Sequence, residues 1–512
     1  MLFRSQTWLR LRRQSGTNFT GFASLDGTAW VQLGVTNLAG MPDTLFVGLS
    51  VASELSNVVT HVKFRDVGPT VSTSVIRSPT LASELIGPSS RRTGLIFSEI
   101  MYHPAPRADL RNLEYVEIYN SNPYFEDISG YRIAGDVDFT FPPGTLLAGG
   151  SFLVIAAVPG DLQAVYGISN VVGPYLGSLK RSGTVKLDNA VGGVLLTVPY
   201  DSVPPWPVAA NGTGHSIVLA NPSYGEANPK AWGISDVAGG SPGGGEAFRP
   251  SPLRNLLINE FLAHTDDPLL DYIELYNHGN VPVDLSGCIL TDDPLTNRFV
   301  IATNTVIPAR GHLVYDQSQL GFALSALGGI ILLKNPDSTR VLDAVLYEGQ
   351  ENSVSTGRVP DGAPEFYPLA TRSPGAANGP MLIRSVVINE LMYNPISGSA
   401  GDCYVELFNR SAAPVNVGAW TFVSGINYTF PSNTLIPANG YLVVAQDLTN
   451  LLAHYANLTT NNTVGNYAGK LSHSGDRVAL AMPDQTIRTN ALGQAVTNTL
   501  YITVDEVTYG TG

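Results

Sequence analysis

The chain has 512 residues, of which 44% are hydrophobic and only 14% charged, with 29 Lys and Arg against 42 Asp and Glu for a net charge of −13. At roughly 150 residues per domain the length suits about three or four folded units, and the 52 glycines and 35 prolines point to many short strands joined by turns. The composition excludes a coiled coil, and no apolar run reaches the roughly eighteen residues of a membrane-spanning helix. The acidic balance disfavours nucleic acid, because phosphate backbones are bound through Lys and Arg.

Near the start, Arg4, Arg10, Arg12 and Arg13 are interspersed with Trp8, Leu9 and Leu11. That spacing predicts a strand with an exposed arginine face rather than a nucleic-acid arm. The first residues show no apolar signal region and no small-residue cleavage site. Residues 19–25 and 28–33 flank Asp26-Gly27, the sequence of a type I′ hairpin turn. Further strands are expected at 44–51 and 60–64. Residues 69–93, rich in Ser, Thr and Pro, read as a linker.

Beyond it four elements recur three times in constant order. The first is Phe97-Ser98-Glu99, Ile258-Asn259-Glu260 and Ile388-Asn389-Glu390. The second is a Tyr-x-Glu-x-aromatic-Asn run holding Tyr115, Glu117 and Asn120, then Tyr272, Glu274 and Asn277, then Tyr404, Glu406 and Asn409. The third opens a strand after a turn at Ser129-Gly130, Ser286-Gly287 and Gly418-Ala419. The fourth is Ala148-Gly149-Gly150, Ile307-Pro308-Ala309-Arg310-Gly311 and Ile436-Pro437-Ala438-Asn439-Gly440. The repeats are about 160 and about 130 residues apart, longer than solenoid repeats and of domain size. Period-two alternation puts Ile273 and Leu275 on one face, with Tyr272, Glu274 and Tyr276 on the other. Glycine-rich Ser241-Pro242-Gly243 and Ser373-Pro374-Gly375 close the first two copies; the third has no such segment.

These runs resemble the lamin-tail domain as found in bacterial surface and secreted proteins, over 94–243, 254–379 and 385–512. The resemblance implies an all-β chain of tandem immunoglobulin-like β-sandwiches. Residues 1–68 are similar to the last strands of a concanavalin-like jelly roll, a partial sandwich at the N-terminus. The third copy is expected to be C-terminally truncated. The whole chain then reads as a fragment of an extracellular or cell-surface protein whose signal peptide lies outside it.

The recurring glutamates, Glu99 with Glu117, Glu260 with Glu274 and Glu390 with Glu406, could serve acid–base chemistry as carboxylate pairs. Three copies with no nucleophile favour a structural signature instead, together with Asn120, Asn277 and Asn409. No catalytic or cofactor-binding residue is assigned. Asp266, Asp267 and Asp271, near Asp292 and Asp293, could donate oxygens to calcium, although their spacing is that of no calcium loop and a solvated turn is favoured. His103 and His264 follow the first glutamates by four residues, where the third copy has Asn394. Gly214-His215-Ser216 lacks a nucleophile elbow. Trp206, between two prolines, and Trp232 are candidates for an exposed sugar platform or for a plug at the sandwich end. Cys288 and Cys403, in different copies, are not expected to form a disulfide.

The expected function is non-enzymatic: adhesion, scaffolding, or binding of protein or carbohydrate at the cell surface. The alternative is an accessory region of a larger extracellular hydrolase or spore-coat kinase-like protein.

Overall fold

Short apolar runs punctuated by Gly, Pro and Asn become strands almost throughout. In this computed structural model the described residues are 8–15, 18–24, 31–37, 86–247, 249–266, 268–296, 298–489 and 495–510. The chain divides into two units, Met1–Arg77 and Ser78–Gly512.

In the first unit β1 (Trp8–Ser15), β2 (Asn18–Ser24) and β3 (Val31–Asn37) form an antiparallel sheet in that order. Ala23 stands opposite Val31. The Asp26-Gly27 turn between these strands lies outside the described residues, as do Arg4, the strands expected at 44–51 and 60–64, and most of the expected linker. The face assignment of β1 is corrected: Leu9 and Leu11 are exposed, while Arg10 is half-buried. Alternation fixes which residues share a face, but only the covering layer decides which face is buried.

Three main hydrophobic cores follow in chain order along the second unit, with smaller clusters beside them, one of which sets Ala209 against Leu332 and Val341 of the next sandwich. The first sandwich contains β4 (Leu95–Met101), β5 (Tyr115–Asn120), β6 (Phe152–Ala156), β7 (Ile217–Leu219) and β8 (Trp232–Ile234). Their sheet runs β6-β5-β4-β7-β8, with Val171–Val172 outside β6. Phe97, Ile100, Val116 and Ile118 meet Ile133, Val185, Leu187 and Leu196 of a five-stranded opposite sheet. Each such side chain contributes about 1.5–3 kcal/mol on burial.

The second sandwich repeats the plan with β9 (Leu256–Leu262), β10 (Tyr272–Asn277), β11 (His312–Asp316), β12 (Thr356–Arg358) and β13 (Phe366–Pro368), in the order β11-β10-β9-β12-β13. Its opposite sheet includes the hairpin Gly328–Lys334 and Val341–Glu348. The third has β14 (Val386–Met392), β15 (Tyr404–Asn409), β16 (Tyr441–Ala445) and β17 (Thr463–Gly465) in sequential order. Its opposite sheet carries the long hairpin Gly475–Thr489 and Ala495–Gly510.

The third sandwich differs from the others at one sheet edge. In the first two, β4 and β9 are interior strands, flanked on the far side by β7 and β12. In the third, β14 is the edge of its sheet among the described residues. Accordingly all seven residues of β4 and of β9 are buried, whereas β14 exposes Asn389 and Glu390 and only half-buries Leu391 and Met392.

The signature asparagines anchor the loop after the second strand. Each side chain is fully buried and spans two segments: Asn277 Nδ2 donates to the carbonyls of Val281 (2.8 Å), Ile307 (3.2 Å) and Pro308 (3.0 Å), while its Oδ1 accepts from Gly279 N–H (2.9 Å). Asn120 and Asn409 do the same with Tyr124 and Leu147, and with Ala413, Ile436 and Pro437. Replacing any one with alanine strands several buried carbonyls and is expected to cost its own sandwich about 2–3 kcal/mol, read as a lowered melting transition.

Neighbouring sandwiches are joined by polar contacts. Asp236 of the first pairs with Arg254 and with Arg340 of the second, at 2.5 Å for Arg340 Nη2. His215 Nδ1–H donates to Ser235 O (2.9 Å), and its Nε2 accepts from Val341 N–H (3.0 Å). From the third sandwich, Asp484 accepts from Asn352 N–H (2.7 Å), and Arg384 pairs with Glu351 (2.6 Å). Cys288 and Cys403 are free and buried. Among the described residues no helix is long and apolar enough to cross a membrane.

Candidate functional site

The paired glutamates stand directly opposite one another across β4–β5, β9–β10 and β14–β15. A β-bulge makes this possible: the register shifts between Phe97 and Glu99, Ile258 and Glu260, and Ile388 and Glu390. The extra residue is the middle one of the motif. Its side chain turns onto the second glutamate: Ser98 Oγ to Glu117 at 2.7 Å, Asn259 Nδ2 to Glu274 at 3.0 Å and Asn389 Nδ2 to Glu406 at 2.8 Å.

Two like charges face to face are destabilising unless donors answer them. In the first sandwich the Ser-Pro-Gly segment does so. Ser241 N–H reaches both oxygens of Glu99 (3.0 and 3.2 Å), its Oγ–H reaches Oε2 (3.2 Å), and Gly243 N–H reaches Glu117 (2.6 Å). Ser216, on the chain entering β7, also donates to Glu99. The second sandwich repeats the arrangement. Ser373 N–H binds Glu260 (3.1 and 3.3 Å) with its Oγ–H at 3.0 Å, and Gly375 N–H binds Glu274 (2.7 Å). Gly243 and Gly375 have φ of 85° and 82°, where a side chain would be strained.

Burial pushes Glu99 and Glu274 up to about 7, against an ordinary value of 4.5, with hydrogen bonds from Ser216 and Asn259 pulling back. Glu117 is also raised well above that value, by burial and then by the charge of Glu99. Such carboxylates have the protonation range of a general acid, but their oxygens are committed to the chain's own Ser and Gly donors. In the third sandwich Tyr404 Oη–H binds Glu390 (2.7 Å), as Tyr272 binds Glu260 (2.6 Å). No Ser-Pro-Gly segment reaches this pair among the described residues. Glu390 is exposed and Glu406 half-buried.

The other candidates, where described, bond to groups of the chain itself. Asp271 is buried and accepts from Thr265 (2.9 Å) and from Leu324 N–H (3.0 Å), while Asp266 accepts from Asn352. Asp292 pairs with Arg298 (2.7 Å). Asp267 lies outside the described residues, and among those described no three His, Cys, Asp or Glu side chains form a metal-binding group. His103 bonds Asn211 (2.6 Å) and His264 bonds Gln350 O (2.8 Å), rather than the glutamates four residues earlier. His215 and Ser216 point to different partners, so they make no nucleophile–base pair. Trp206 and Trp232 are buried in the first core with ring centroids 6.2 Å apart. They plug the sandwich rather than forming an exposed platform.

Sequence reasoning missed three things. It read Ser-Pro-Gly as a boundary, although its pairing with the glutamates in two copies and absence from the third was a usable signal. It gave the bulge residue no role. It also missed Arg358, whose buried guanidinium binds Asp343 (2.9 Å) and the carbonyls of Ile258 (2.7 Å) and Ala363 (2.6 Å).

The fold and site together define immunoglobulin-like β-sandwich modules. The lamin tail domain model matches residues 88–202 and 381–510. The first match covers β4 to β6 and the opposite sheet, stopping before β7, β8 and the Ser-Pro-Gly segment; the second covers the third sandwich. No curated protein matches the chain.

Proposed function

We propose that this chain is a non-catalytic, multi-domain segment of a bacterial cell-surface or secreted protein, acting in adhesion, scaffolding, or binding of protein or carbohydrate. The observation that carries this reading is the fate of the glutamates. The repeated acid–base candidates of the first two sandwiches are spent on fastening the chain's own Ser-Pro-Gly segments. On the same reading the middle sandwich, roughly 254–379, is a third lamin-tail copy, because it repeats the bulge, the glutamate pair and the asparagine anchor. The N-terminal strands would be the end of a concanavalin-like jelly roll.

The test is to incubate the purified chain with isolated cell envelopes and with a panel of polysaccharides, following both retention and product release. Retention without release is expected, unchanged in a Glu99→Gln/Glu274→Gln variant. Release of sugar or peptide that disappears in that variant would overturn the proposal.

A further inference from the structure

The helix that follows β6, β11 and β16 differs among the three sandwiches. In the first, α1 (Pro159–Tyr166) has eight residues, and in the third, α3 (Leu448–His454) has seven. In the second, α2 (Gln317–Leu320) has only four and is stopped by Gly321 at a φ of 71°. Each helix buries one leucine, Leu162, Leu320 or Leu451, which fixes their common register. Four residues beyond that leucine the first and third copies carry a tyrosine, Tyr166 and Tyr455. The second has Leu324 there, buried in the core with Leu320, its N–H bonded to Asp271 (3.0 Å).

The two tyrosines sit beside the signature tyrosine of their own sandwich. Tyr166 packs against the cluster of Tyr115 and Leu162, and its hydroxyl donates to Gly239 O (2.7 Å), two residues before Ser241 of Ser-Pro-Gly. Tyr455 meets Tyr404 edge-on, with ring centroids 6.4 Å apart. In the second sandwich a groove of about 550 Å³ opens beside Tyr272 instead, lined also by Ser353, Val354, Leu369, Thr371 and Arg372. Thr371 stands two residues before Ser373, as Gly239 stands before Ser241. Arg372 is the one charged side chain in this lining; it is exposed and makes no ion pair among the described residues. Apolar walls with a few polar groups that fix orientation are the usual make-up of a binding groove.

We infer that this groove of the second sandwich binds a tyrosine side chain of a partner protein, with a carboxylate next to it in the partner's chain. The first sandwich specifies the occupant, because it seats its own Tyr166 at the equivalent place. A tyrosine ring supplies apolar area against Tyr272, Val354 and Leu369, with a polar tip for a hydrogen bond. Its hydroxyl donates to the Thr371 carbonyl as Tyr166 does to that of Gly239. Arg372 answers the carboxylate. The inference rests on the reading of the chain as an interaction protein and deepens it by naming one group that is recognised. Its test does not use cell envelopes, so either can fail alone.

The probe is the peptide acetyl-Gly-Tyr-Glu-Gly-amide, titrated into the full chain and followed by saturation transfer from the protein to the peptide protons. Saturable binding is expected, with the strongest transfer to the tyrosine ring. Binding should weaken about fivefold or more when the peptide carries Phe in place of Tyr, or Gln in place of Glu. Arg372→Gln in the chain should weaken it similarly, and should remove the difference between the Glu and Gln peptides. The peptide changes keep the result independent of how that variant folds. No saturable binding at millimolar peptide, or binding indifferent to the loss of the phenol hydroxyl and to Arg372→Gln, would overturn the inference. So would binding of an oligogalacturonate that depends on Arg372 while the peptide does not bind, because the occupant would then be an acidic sugar.

Discussion

Replacing Arg358 with methionine is expected to lower the stability of the second sandwich by about 3–5 kcal/mol, the range found when one partner of a buried ion pair is removed. The side chain is only 3% exposed. It answers Asp343, bonds the carbonyls of Ile258, Ala363 and Pro364, and lies 4.1 Å over the Phe366 ring. Methionine restores some of the volume but leaves the Asp343 carboxylate without its countercharge and three carbonyls without the guanidinium donor. Lysine should not rescue, because an ammonium cannot reach these acceptors with a planar fork. The measurement is hydrogen exchange across residues 256–262 and 328–348 under mild denaturant. Protection unchanged in both variants would refute this role for β12.

The second large effect is in pH. The unfolded chain loses its glutamate protons near 4.5, whereas Glu99 and Glu274 keep theirs to about 7 and Glu117 is raised in the same direction. Between those values the folded state binds more protons than the unfolded one, so stability falls as pH rises. The contribution is complete below about 4.5 and lost through about 7, on the order of 3 kcal/mol for a group shifted this far. His215 works the other way: burial pulls it down to about 4 from 6.5, so its contribution is present above 6.5 and lost as pH falls through 4. His278 is lowered by burial in the same sense as His215, while His312 is raised and acts with the three carboxylates, which outweigh the two lowered imidazoles. The melting temperature is therefore expected to be highest near pH 5 and to drop toward pH 8, and Glu99→Gln/Glu274→Gln should flatten the alkaline limb. A melting temperature that rises from pH 5 to 8 would contradict the shared burial of these pairs.

Much of the architecture was legible because each sandwich writes the same strand order in the same residues. Period-two alternation placed Ile273 and Leu275 in the core and Glu274 on the opposite face. The bulge escaped notice because one inserted residue leaves Ile-Asn-Glu looking like ordinary alternation. The arginine face of β1 was misjudged because burial depends on a covering layer that is distant in sequence, whereas Trp206 takes the plug role that its prolines allowed. The same distance hid the role of Ser-Pro-Gly, since Ser241 lies far along the chain from Glu99, and a Gly- and Pro-rich stretch has the composition of a linker. His215, already read as lacking a nucleophile elbow, has Ser235 and Val341 as its partners, the latter from the next sandwich.

The glutamate pairs of the first two sandwiches act as fasteners for the Ser-Pro-Gly segments, and among the described residues no such segment reaches the third pair. Native-state hydrogen exchange in the full chain tests this most directly. The amides of Gly243 and Gly375 are expected to exchange as slowly as the core strands β4 and β9, and Glu117→Ala or Glu274→Ala should speed only the glycine of its own sandwich. Residues 390–392 of β14 should exchange quickly. Fast exchange at Gly243 and Gly375, or equal protection of β4, β9 and β14, would contradict the fastener role.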